Sequence, residues 1–403
     1  MSLKMRILVL SQYFYPDVTA AAFRVTETCD LLSQRGHDVQ VITAYPHKSG
    51  ISPGPDAEKR AWARKLHIRE YKGRGIVDYL LHYWSFAVKA LLLGTFLGVR
   101  IRPDVIWATS PPLTCGSVGA IISSVLRIPL VLDVRDIWPD SAAAAGVISE
   151  DSRWFRLAQA LERFTYRKAQ ALTCVSKTMK RHLCEKVDEK RVNVVFNGVS
   201  ESRLSESSVA SKIEKRIVYA GNLGRAQNVE IFVDSFIRAK VNLIDAGWKL
   251  MLIGDGALKE AIKKKIAKLE LDDHIRMLPP MGKAELFEYM AASNTLLMGL
   301  KSHPALALTI PSKVFDYLAV NRPIIAMVTG EAARLVRENP YNRVIEPGSG
   351  EALAKEFRRL TSREYPSKYP ISNHSFLKTS FTREENTMRL EDVLRRVSTQ
   401  VET

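Results

Sequence analysis

A strand, a glycine-containing turn and a helix follow one another near the middle of the chain and decide the fold. The strand and turn are Arg216-Ile217-Val218-Tyr219-Ala220-Gly221-Asn222-Leu223-Gly224-Arg225-Ala226-Gln227-Asn228, and a helical stretch runs on over 228–240. The first five residues are mostly apolar, as in a strand that is buried on both faces. The two glycines mark a tight turn. This stretch predicts one strand-helix unit of a parallel sheet.

The same alternation extends in both directions along the chain. Short apolar strands are predicted, in order, at 6–10, 38–43, 104–108, 129–134, 171–175, 192–196, 216–220, 249–253, 275–278 and 295–300. Segments of helical length lie between many of them, including 20–35, 257–269 and 283–292. The pattern predicts an α/β protein with two doubly wound, Rossmann-like domains in series.

Chain length and a serine-rich stretch divide the sequence into domains. A chain of 403 residues can build two cores. The stretch 200–211 contains six serines and little apolar content, which is typical of a linker. We therefore predict a first domain at 5–199, a linker at 200–211, a second domain at 212–370 and a C-terminal segment at 371–403.

The charge of the chain favours an anionic partner. The formal net charge is +16, which is compatible with nucleic acid, anionic lipid or a phosphorylated substrate. Four widely spaced cysteines with no CxxC pair predict neither a disulfide framework nor a zinc site, and a reducing cytoplasm is the expected compartment. We find no aromatic-interleaved basic stripe, helix-turn-helix pattern or zinc spacing, so nucleic acid is the less favoured partner.

A basic run followed by an apolar helix points to a membrane surface. Residues 59–74 contain seven Lys or Arg, and the apolar stretch 76–99 comes directly after them. Asp78, His82 and Lys89 interrupt that stretch, which argues against a membrane-spanning helix. We predict an interfacial helix on an anionic membrane surface. The alternative is an ordinary core helix preceded by a solvated loop.

Two segments are candidates for binding a phosphate. In the turn that contains Gly221 and Gly224, small residues let backbone N–H groups approach an anion, and Arg225 adds a positive charge. A simple tight turn is the alternative. The second segment is Leu308-Thr309-Ile310-Pro311-Ser312-Lys313-Val314-Phe315-Asp316-Tyr317-Leu318-Ala319.

The second segment combines a helix start with a lysine. Pro311 and Ser312 are typical of a helix N-terminus, so Lys313 would lie beside unpaired N–H groups, where a diphosphate is favoured. Asp316 shares a helix face with Lys313 and could accept hydrogen bonds from ribose hydroxyls. A surface salt bridge between these two residues is the alternative.

Together these segments resemble a known family. With Ile253-Gly254-Asp255-Gly256 and Leu278-Pro279-Pro280-Met281, they are similar to the C-terminal half of bacterial family 4 retaining glycosyltransferases of the GT-B fold. Three N-terminal segments resemble the branch that contains N-acetyl-L-fucosamine transferases of O-antigen and capsule synthesis: Ser110-Pro111-Pro112, Leu132-Asp133-Val134-Arg135-Asp136-Ile137-Trp138-Pro139-Asp140 and Asn197-Gly198-Val199. The resemblance covers roughly residues 5–395.

The resemblance implies a reaction and its partners. The donor would be a sugar linked to a nucleotide diphosphate, usually UDP, and the branch suggests an N-acetylated deoxy sugar. The acceptor would be a saccharide or a polyprenyl-diphosphate-linked saccharide at the inner face of the cytoplasmic membrane. No metal or other cofactor is expected. A C-terminal helix at about 382–396 resembles the family segment that returns to the N-terminal domain.

The resemblance also implies site residues. The donor-binding set is Ala21, Gly221, Asn222, Leu223, Arg225, Gly254, Pro280, Thr309, Ile310, Pro311, Ser312, Lys313 and Asp316. The catalytic set is Arg135, Asp136 and Lys313, where the lysine would stabilise the leaving diphosphate. The acceptor set is Tyr15, Arg24 and Trp138, because aromatic rings stack on sugars and a cation can pair with a diphosphate.

Three departures from the family pattern concern charge. Leu308 stands where many members carry a Glu that contacts the donor sugar, which favours a less polar or differently oriented sugar. Asn222 and Gln227 stand where many carry the Arg and Lys that neutralise the diphosphate. Arg135 replaces a His that could transfer a proton.

Three alternative functions remain open at the level of sequence. A UDP-sugar 2-epimerase of the same fold would share the nucleotide site. A basic nucleic-acid-binding protein would also explain the net charge of +16. A sugar-nucleotide-binding protein without catalysis would fit the changes at Leu308 and Arg135.

Overall fold

The protein divides into two compact units. The computed structural model describes residues 4–17, 19–45, 60, 62–70, 76–205, 213–362 and 372–399. The first unit comprises Met1–Asn197 and Arg383–Thr403, and the second comprises Gly198–Thr382. The division at Asn197 lies close to the predicted boundary at residue 199.

The first unit contains a parallel sheet of seven strands. Its strands are β1 Arg6–Leu10, β2 Asp38–Ala44, β3 Ala63–Leu66, β4 Val105–Ser110, β5 Leu130–Val134, β6 Ala171–Cys174 and β7 Val192–Val194. They are arranged in the order β3-β2-β1-β4-β5-β6-β7. The helices between them are α1 Ala20–Gln34, α2 Ile76–Ile101, α3 Leu113–Leu126, α4 Asp140–Ala144, α5 Arg153–Lys168 and α6 Lys177–Cys184, followed by a 3-10 helix at Glu189–Arg191.

The second unit contains a parallel sheet of six strands. Its strands are β8 Glu214–Ala220, β9 Lys249–Ile253, β10 Ile275–Leu278, β11 Ser293–Gly299, β12 Ile324–Met327 and β13 Arg343–Ile345, in the order β10-β9-β8-β11-β12-β13. Its helices are α7 Glu201–Ser205, α8 Val229–Arg238, α9 Lys240–Asp245, α10 Lys259–Lys268, α11 Lys283–Ala291, α12 Pro304–Ala307, α13 Ser312–Val320, α14 Gly330–Arg337, α15 Gly350–Arg359 and α16 His374–Ser380.

Strand order decides on which face of the first sheet each helix lies. Crossovers between parallel strands are right-handed, so connections that run in opposite directions across the sheet lie on opposite faces. The connection through α1 runs from β1 to β2, whereas those through α2, α3 and α5 run the other way. Helices α2, α3 and α5 therefore form one layer, in which α2 packs on α3 and α3 packs on α5.

The opposite face of the first sheet is covered by α1 and a C-terminal helix, Arg383–Thr399. Leu390, Val393, Leu394 and Val397 of this helix are buried in the same cluster as β1 and β4 side chains. The last described helix of the chain therefore completes the core of the first unit, although the second unit precedes it in sequence.

Two predicted segments differ from the structure. The basic run at 59–74 was expected as a solvated loop or polybasic segment, but Ala63–Leu66 forms the edge strand β3, which pairs in parallel with β2. Residues 59, 61 and 71–74 of this run lie outside the described residues. The serine-rich stretch 200–211 contains α7, whose Leu204 is buried, and its residues 206–211 also lie outside the described part of the chain.

In each sheet there is one pair of neighbouring strands from which the chain connections run outwards in opposite directions. We call this place the winding reversal. In the first unit this point lies between β1 and β4, and in the second between β8 and β11. Ligands of doubly wound sheets bind at the carboxyl ends of the strands beside such a point. The loops after these four strands are therefore the places to look for a site.

Candidate active site

The two predicted phosphate-binding segments meet at the winding reversal of the second unit. The Nζ of Lys313, in the first turn of α13, lies 4.1 Å from the centroid of the Tyr219 ring at the end of β8. A Cβ added to Gly221 would lie 2.7 Å from the same Nζ. The hydroxyl of Tyr317 accepts a 2.9 Å hydrogen bond from the backbone N–H of Ala220. The loop after β8 and the start of α13 thus form one site.

Close backbone contacts explain the glycines of this site. Gly221 and Gly254 have φ angles of +144° and +138°, which side chains rarely tolerate. A Cβ on Gly254 would lie 2.0 Å from the carbonyl oxygen of Gly221. The N–H of Gly221 donates to Ile253 at 2.9 Å, and the N–H of Leu223 donates to Asp255 at 2.8 Å. The turns after β8 and β9 are therefore held against each other by their backbones.

Lys313 carries an enclosed amino group. Its Nζ is buried and has no hydrogen-bond partner among the described residues. Burial lowers the pKa of Lys313 from 10.5 to about 7, against the opposing effect of the Asp316 carboxylate. Burial also raises the pKa of Tyr219 well above its usual range, so the ring beneath Lys313 is a neutral phenol. A buried cation without a hydrogen-bonded partner is costly, and an anionic ligand would supply that partner.

The first turn of α13 presents backbone N–H groups at its N-terminus. Pro311 is the N-cap and provides no side-chain hydrogen bond, and the N–H of Val314 donates to the Pro311 carbonyl at 3.0 Å. The N–H groups of Ser312 and Lys313, which precede it, have no acceptor within the helix. Ser312 is the first helical residue, and Asp316 is half-buried one turn after it. A helix N-terminus beside a lysine is a favourable place for an anion.

The remaining predicted donor-binding residues differ in how far their side chains are buried. Leu223 and Ile310 are fully buried, so their side chains belong to the core of the second unit. Asn222, Arg225 and Pro280 are exposed on loops that follow strands, and Thr309 is half-buried. The predicted donor contacts of these residues stay predictions. Leu308 is the residue that ends α12, and it is half-buried.

A buried ion pair organises the corresponding region of the first unit. Arg24 in α1 forms hydrogen bonds of 3.3 and 3.0 Å with the two carboxylate oxygens of Asp133 at the end of β5. It also donates to the Asn197 side chain at 2.8 Å and to the carbonyl of Phe196 at 3.0 Å. Arg24 is 3% exposed. All its guanidinium nitrogens are engaged by protein acceptors, so this placement does not support the predicted acceptor role.

Asp133 is a residue whose importance the sequence prediction missed. It is fully buried and also accepts a 2.7 Å hydrogen bond from the hydroxyl of Thr173. A signal was present in the sequence, because this aspartate interrupts an otherwise apolar predicted strand at 129–134. Buried carboxylates are rare unless they are paired.

Arg135 lies beside the ion pair of Arg24 and Asp133, and its guanidinium group makes fewer hydrogen bonds than that of Arg24. Its Nη2 donates to the carbonyl of Pro111 at 2.7 Å, and its Nε lies 3.9 Å from Asp133. Burial lowers the pKa of Arg135, and the Asp133 carboxylate opposes that effect. Its buried Nε has no hydrogen-bond partner in the described part of the chain. Arg135 is thus held at the carboxyl ends of β4 and β5.

Four further predicted residues belong to the first unit. Asp136 and Trp138 follow β5 and are half-buried, and Ala21 is half-buried in the first turn of α1. The Tyr15 ring lies 4.7 Å from the guanidinium carbon of Arg60. Their predicted catalytic, acceptor and donor roles stay predictions.

Both units match glycosyltransferase families. Residues 19–198 match the "Glycosyl transferase 4-like domain" family, and residues 214–363 match "Glycosyl transferases group 1". The chain belongs to the family 4, group 1 glycosyltransferases of the GT-B fold, which confirms the family and the fold predicted from sequence.

Known relatives agree with this assignment. The chain is 28% identical to the "Probable glycosyltransferase WbjE" of Pseudomonas aeruginosa, over 87% of this chain and 88% of the relative. It is 26% identical to the "Putative colanic acid biosynthesis glycosyl transferase WcaI" of Escherichia coli K12, over 88% of this chain and 92% of that relative. Anabaena HepE in complex with UDP-glucose has a similar structure, with a TM-score of 0.68, 15% identity and coverage of 97% and 100% of the two chains.

Arg24 and Arg135 are expected to differ in what they contribute to stability. Arg24→Met leaves the buried Asp133 carboxylate without its bidentate partner, so the free energy of unfolding should fall by about 3–5 kcal/mol. Arg135→Met leaves the pair of Arg24 and Asp133 in place and should cost much less. Urea denaturation of both variants measures the difference. Equal losses would show that Asp133 depends on both arginines.

Lys313 offers a test of its burial that needs no ligand. Because its pKa is lowered from 10.5 to about 7, the unfolded chain binds more protons at this residue between those pH values than the folded protein does. The free energy of unfolding should therefore rise with pH above 7, by at most about 1.4 kcal/mol per pH unit. Urea denaturation across this pH range measures the slope.

Two variants isolate the contribution of Lys313 to that slope. Lys313→Met keeps the length of the side chain but cannot titrate, so its slope should be smaller than that of the unmodified protein. Lys301→Met changes an exposed lysine after β11 and should leave the slope unchanged. If Lys313→Met and the unmodified protein show the same slope, the ammonium is not buried in the folded protein.

Proposed function

We propose that this glycosyltransferase moves a sugar from a UDP-linked donor to a saccharide acceptor in the synthesis of a cell-surface polysaccharide, with retention of the anomeric configuration. The enclosed Nζ of Lys313, above Tyr219 and beside the backbone of Gly221, is the observation that carries the proposal. The amino group of Lys313 and the N-terminus of α13 lie together at this point, beside the Gly221 backbone, and a positive charge at a helix N-terminus is the chemistry that a diphosphate needs.

Three observations support the choice of donor. HepE, which shares this fold, binds UDP-glucose, and this supports uridine as the base. Leu308 places an aliphatic side chain where the family pattern has a Glu, which favours a sugar with fewer hydroxyl groups to bind. The resemblance of the N-terminal segments to N-acetyl-L-fucosamine transferases favours an N-acetylated deoxy sugar.

The proposed chemistry needs positioning and charge stabilisation from the protein. The bond from the anomeric carbon to the diphosphate oxygen breaks, and the acceptor oxygen forms its bond to that carbon on the same face. The proton of the acceptor hydroxyl passes to the departing phosphate oxygen, so the products are UDP and the extended saccharide. Lys313 and the N-terminus of α13 stabilise the charge that develops on the diphosphate.

The acceptor and the location complete the proposal. The name of WcaI refers to colanic acid biosynthesis, and the resemblance implies an acceptor carried on polyprenyl diphosphate. The protein would then work as a peripheral protein on the inner face of the cytoplasmic membrane. Arg135 and Asp136 would be the catalytic residues that the first unit contributes. We propose that the transfer requires no metal, and transfer that continues in the presence of EDTA would agree with this.

Nucleotide binding tests the site directly. A ligand that binds only the folded state stabilises it, by about 2.7 kcal/mol at a concentration of 100 times its Kd. We expect UDP to raise the melting temperature of the protein more than the diphosphates of adenosine, guanosine or thymidine do. Lys313→Met should lose most of the shift with UDP, whereas Lys301→Met should keep it. No shift with any nucleoside diphosphate would contradict the proposed function.

Transfer with retention predicts the configuration of the product. Incubation with a UDP-sugar and a polyprenyl-diphosphate-linked saccharide should give a glycoside whose anomeric configuration, measured by NMR, equals that of the donor. An inverted product would overturn the proposed mechanism. Conversion of the UDP-sugar without any acceptor would favour the epimerase instead.

A further inference from the structure

We infer that the outer surface of helices α2, α3 and α5 docks onto an anionic lipid bilayer. This inference rests on the proposed function only in that a lipid-linked acceptor explains why the enzyme would need a membrane. We call this surface the three-helix face. Its evidence lies in the exposed apolar side chains of the three helices and in the sign of the charges around them.

Helix α2 exposes a continuous apolar stripe. Its members recur at intervals of three or four residues, which places them on one side of the helix. They are Val77 (61% exposed), Leu81 (42%), Trp84 (57%), Val88 (50%), Leu92 (69%), Phe96 (57%) and Val99 (62%). A contiguous apolar surface of this kind is unusual on a protein that meets only water and indicates a protein or membrane contact.

The opposite side of α2 is used by the fold. Phe86, Ala90 and Leu97 are buried. A Cβ on Gly94 would lie 2.5 Å from Ile122 of α3, and one on Gly98 would lie 2.3 Å from Leu126. Helix α2 is therefore packed closely against α3. Its apolar stripe lies on the other side of the helix and takes no part in the core.

The two neighbouring helices extend the apolar surface. Ile121 and Val125 of α3 are 37% and 64% exposed, and Trp154 and Leu157 of α5 are 36% and 59% exposed. Helices α3 and α5 are joined by a 3.0 Å hydrogen bond between the hydroxyls of Ser117 and Thr165. Because α2, α3 and α5 lie side by side on one face of the sheet, their outer surfaces are continuous.

The exposed charges of these three helices all have the same sign. Their sequences contain two acidic residues, and both are buried: Asp78 is 5% exposed and Glu162 is 2% exposed. Glu162 is further paired with Lys186 at 3.1 Å. The exposed basic residues on the helices and their C-terminal ends are Lys89, Arg100, Arg102, Arg127, Arg153, Arg156, Arg163, Arg167 and Lys168, whereas the exposed acidic residues Glu150 and Asp151 lie in the turn before α5.

The basic charge and the exposed apolar side chains together indicate which partner binds the three-helix face. Apolar side chains that enter the acyl region, with cations at the level of anionic headgroups, are the features of an interfacial helix. A second copy of the chain in a two-fold dimer would place like charges against each other. Nucleic acid would leave the apolar stripe of α2 in water.

The same observations favour docking over spanning. Of the described helices, α2 contains one stretch long and apolar enough to cross a membrane, at Leu80–Ile101, and 33% of its window is buried inside the protein. Its inner side packs on α3 and on strands β1, β2 and β3. Crossing the bilayer would require α2 to leave this layer and expose the core beneath it.

Vesicle flotation tests the three-helix face. The unmodified protein should float with vesicles of phosphatidylcholine and phosphatidylglycerol, and less with phosphatidylcholine alone, since headgroup charge adds to the attraction. High salt should weaken the binding to the anionic vesicles because counterions screen the basic residues. The triple variant Trp84→Ser, Leu92→Ser, Phe96→Ser should bind anionic vesicles at least about tenfold more weakly.

A matched variant controls for the loss of exposed apolar groups in general. Val241→Ser with Leu269→Ser changes two apolar residues of the second unit, 67% and 45% exposed, and should leave vesicle binding unchanged. Equal binding by the triple variant and the unmodified protein would overturn the inference. So would a dimer in solution that the triple variant converts to a monomer, because the stripe would then be an interface between copies.

The melting-temperature shift with UDP separates this inference from the proposed function. The triple variant should keep the full shift, because its substitutions lie in the first unit and the Lys313 site lies in the second. Vesicle binding without any shift with UDP would support the docking surface and contradict the proposed donor. A shift with UDP without vesicle binding would overturn the docking surface alone.

Discussion

The enclosed ammonium of Lys313 is the constraint on which the functional site depends. It lies above the Tyr219 ring and against the Gly221 backbone, without a hydrogen-bond partner among the described residues. A protein that buries an amino group in this way loses the solvation of its charged form, and here only the nearby Asp316 carboxylate opposes that loss. The backbone contact between Gly221 and Gly254 holds the turn beside Lys313 in place.

The first unit also buries a cation, but there the protein itself supplies the hydrogen-bond acceptors. The guanidinium group of Arg24 is also buried, but Asp133, Asn197 and a backbone carbonyl satisfy it. The ion pair joins α1 to β5 and leaves no donor for a ligand. Arg135, the first residue after β5, keeps a buried Nε without a hydrogen-bond partner among the described residues. Of the two buried arginines, Arg135 therefore keeps a side-chain donor that the described residues do not use.

The three-helix face gives the first unit a second surface with its own chemistry. Right-handed crossovers place α2, α3 and α5 on one side of the sheet, and α1 with the C-terminal helix on the other. Burial of Asp78 and Glu162 removes the only acidic side chains that these three helices could have exposed. Fold topology and the burial of two carboxylates thus produce an apolar, basic surface.

The sequence by itself determined the strand pattern and the family, and it identified Lys313 as a candidate site residue. Apolar strands such as Lys249–Ile253 and Ile275–Leu278 were predicted at their observed bounds because both faces of a parallel sheet are buried. Only the tertiary structure decided which polar groups meet. Tyr219 and Lys313, like Arg24 and Asp133, are far apart in the chain, and no local pattern encodes such contacts. β3 was missed because an edge strand that is only half-buried, Ala63–Leu66, lacks an apolar pattern.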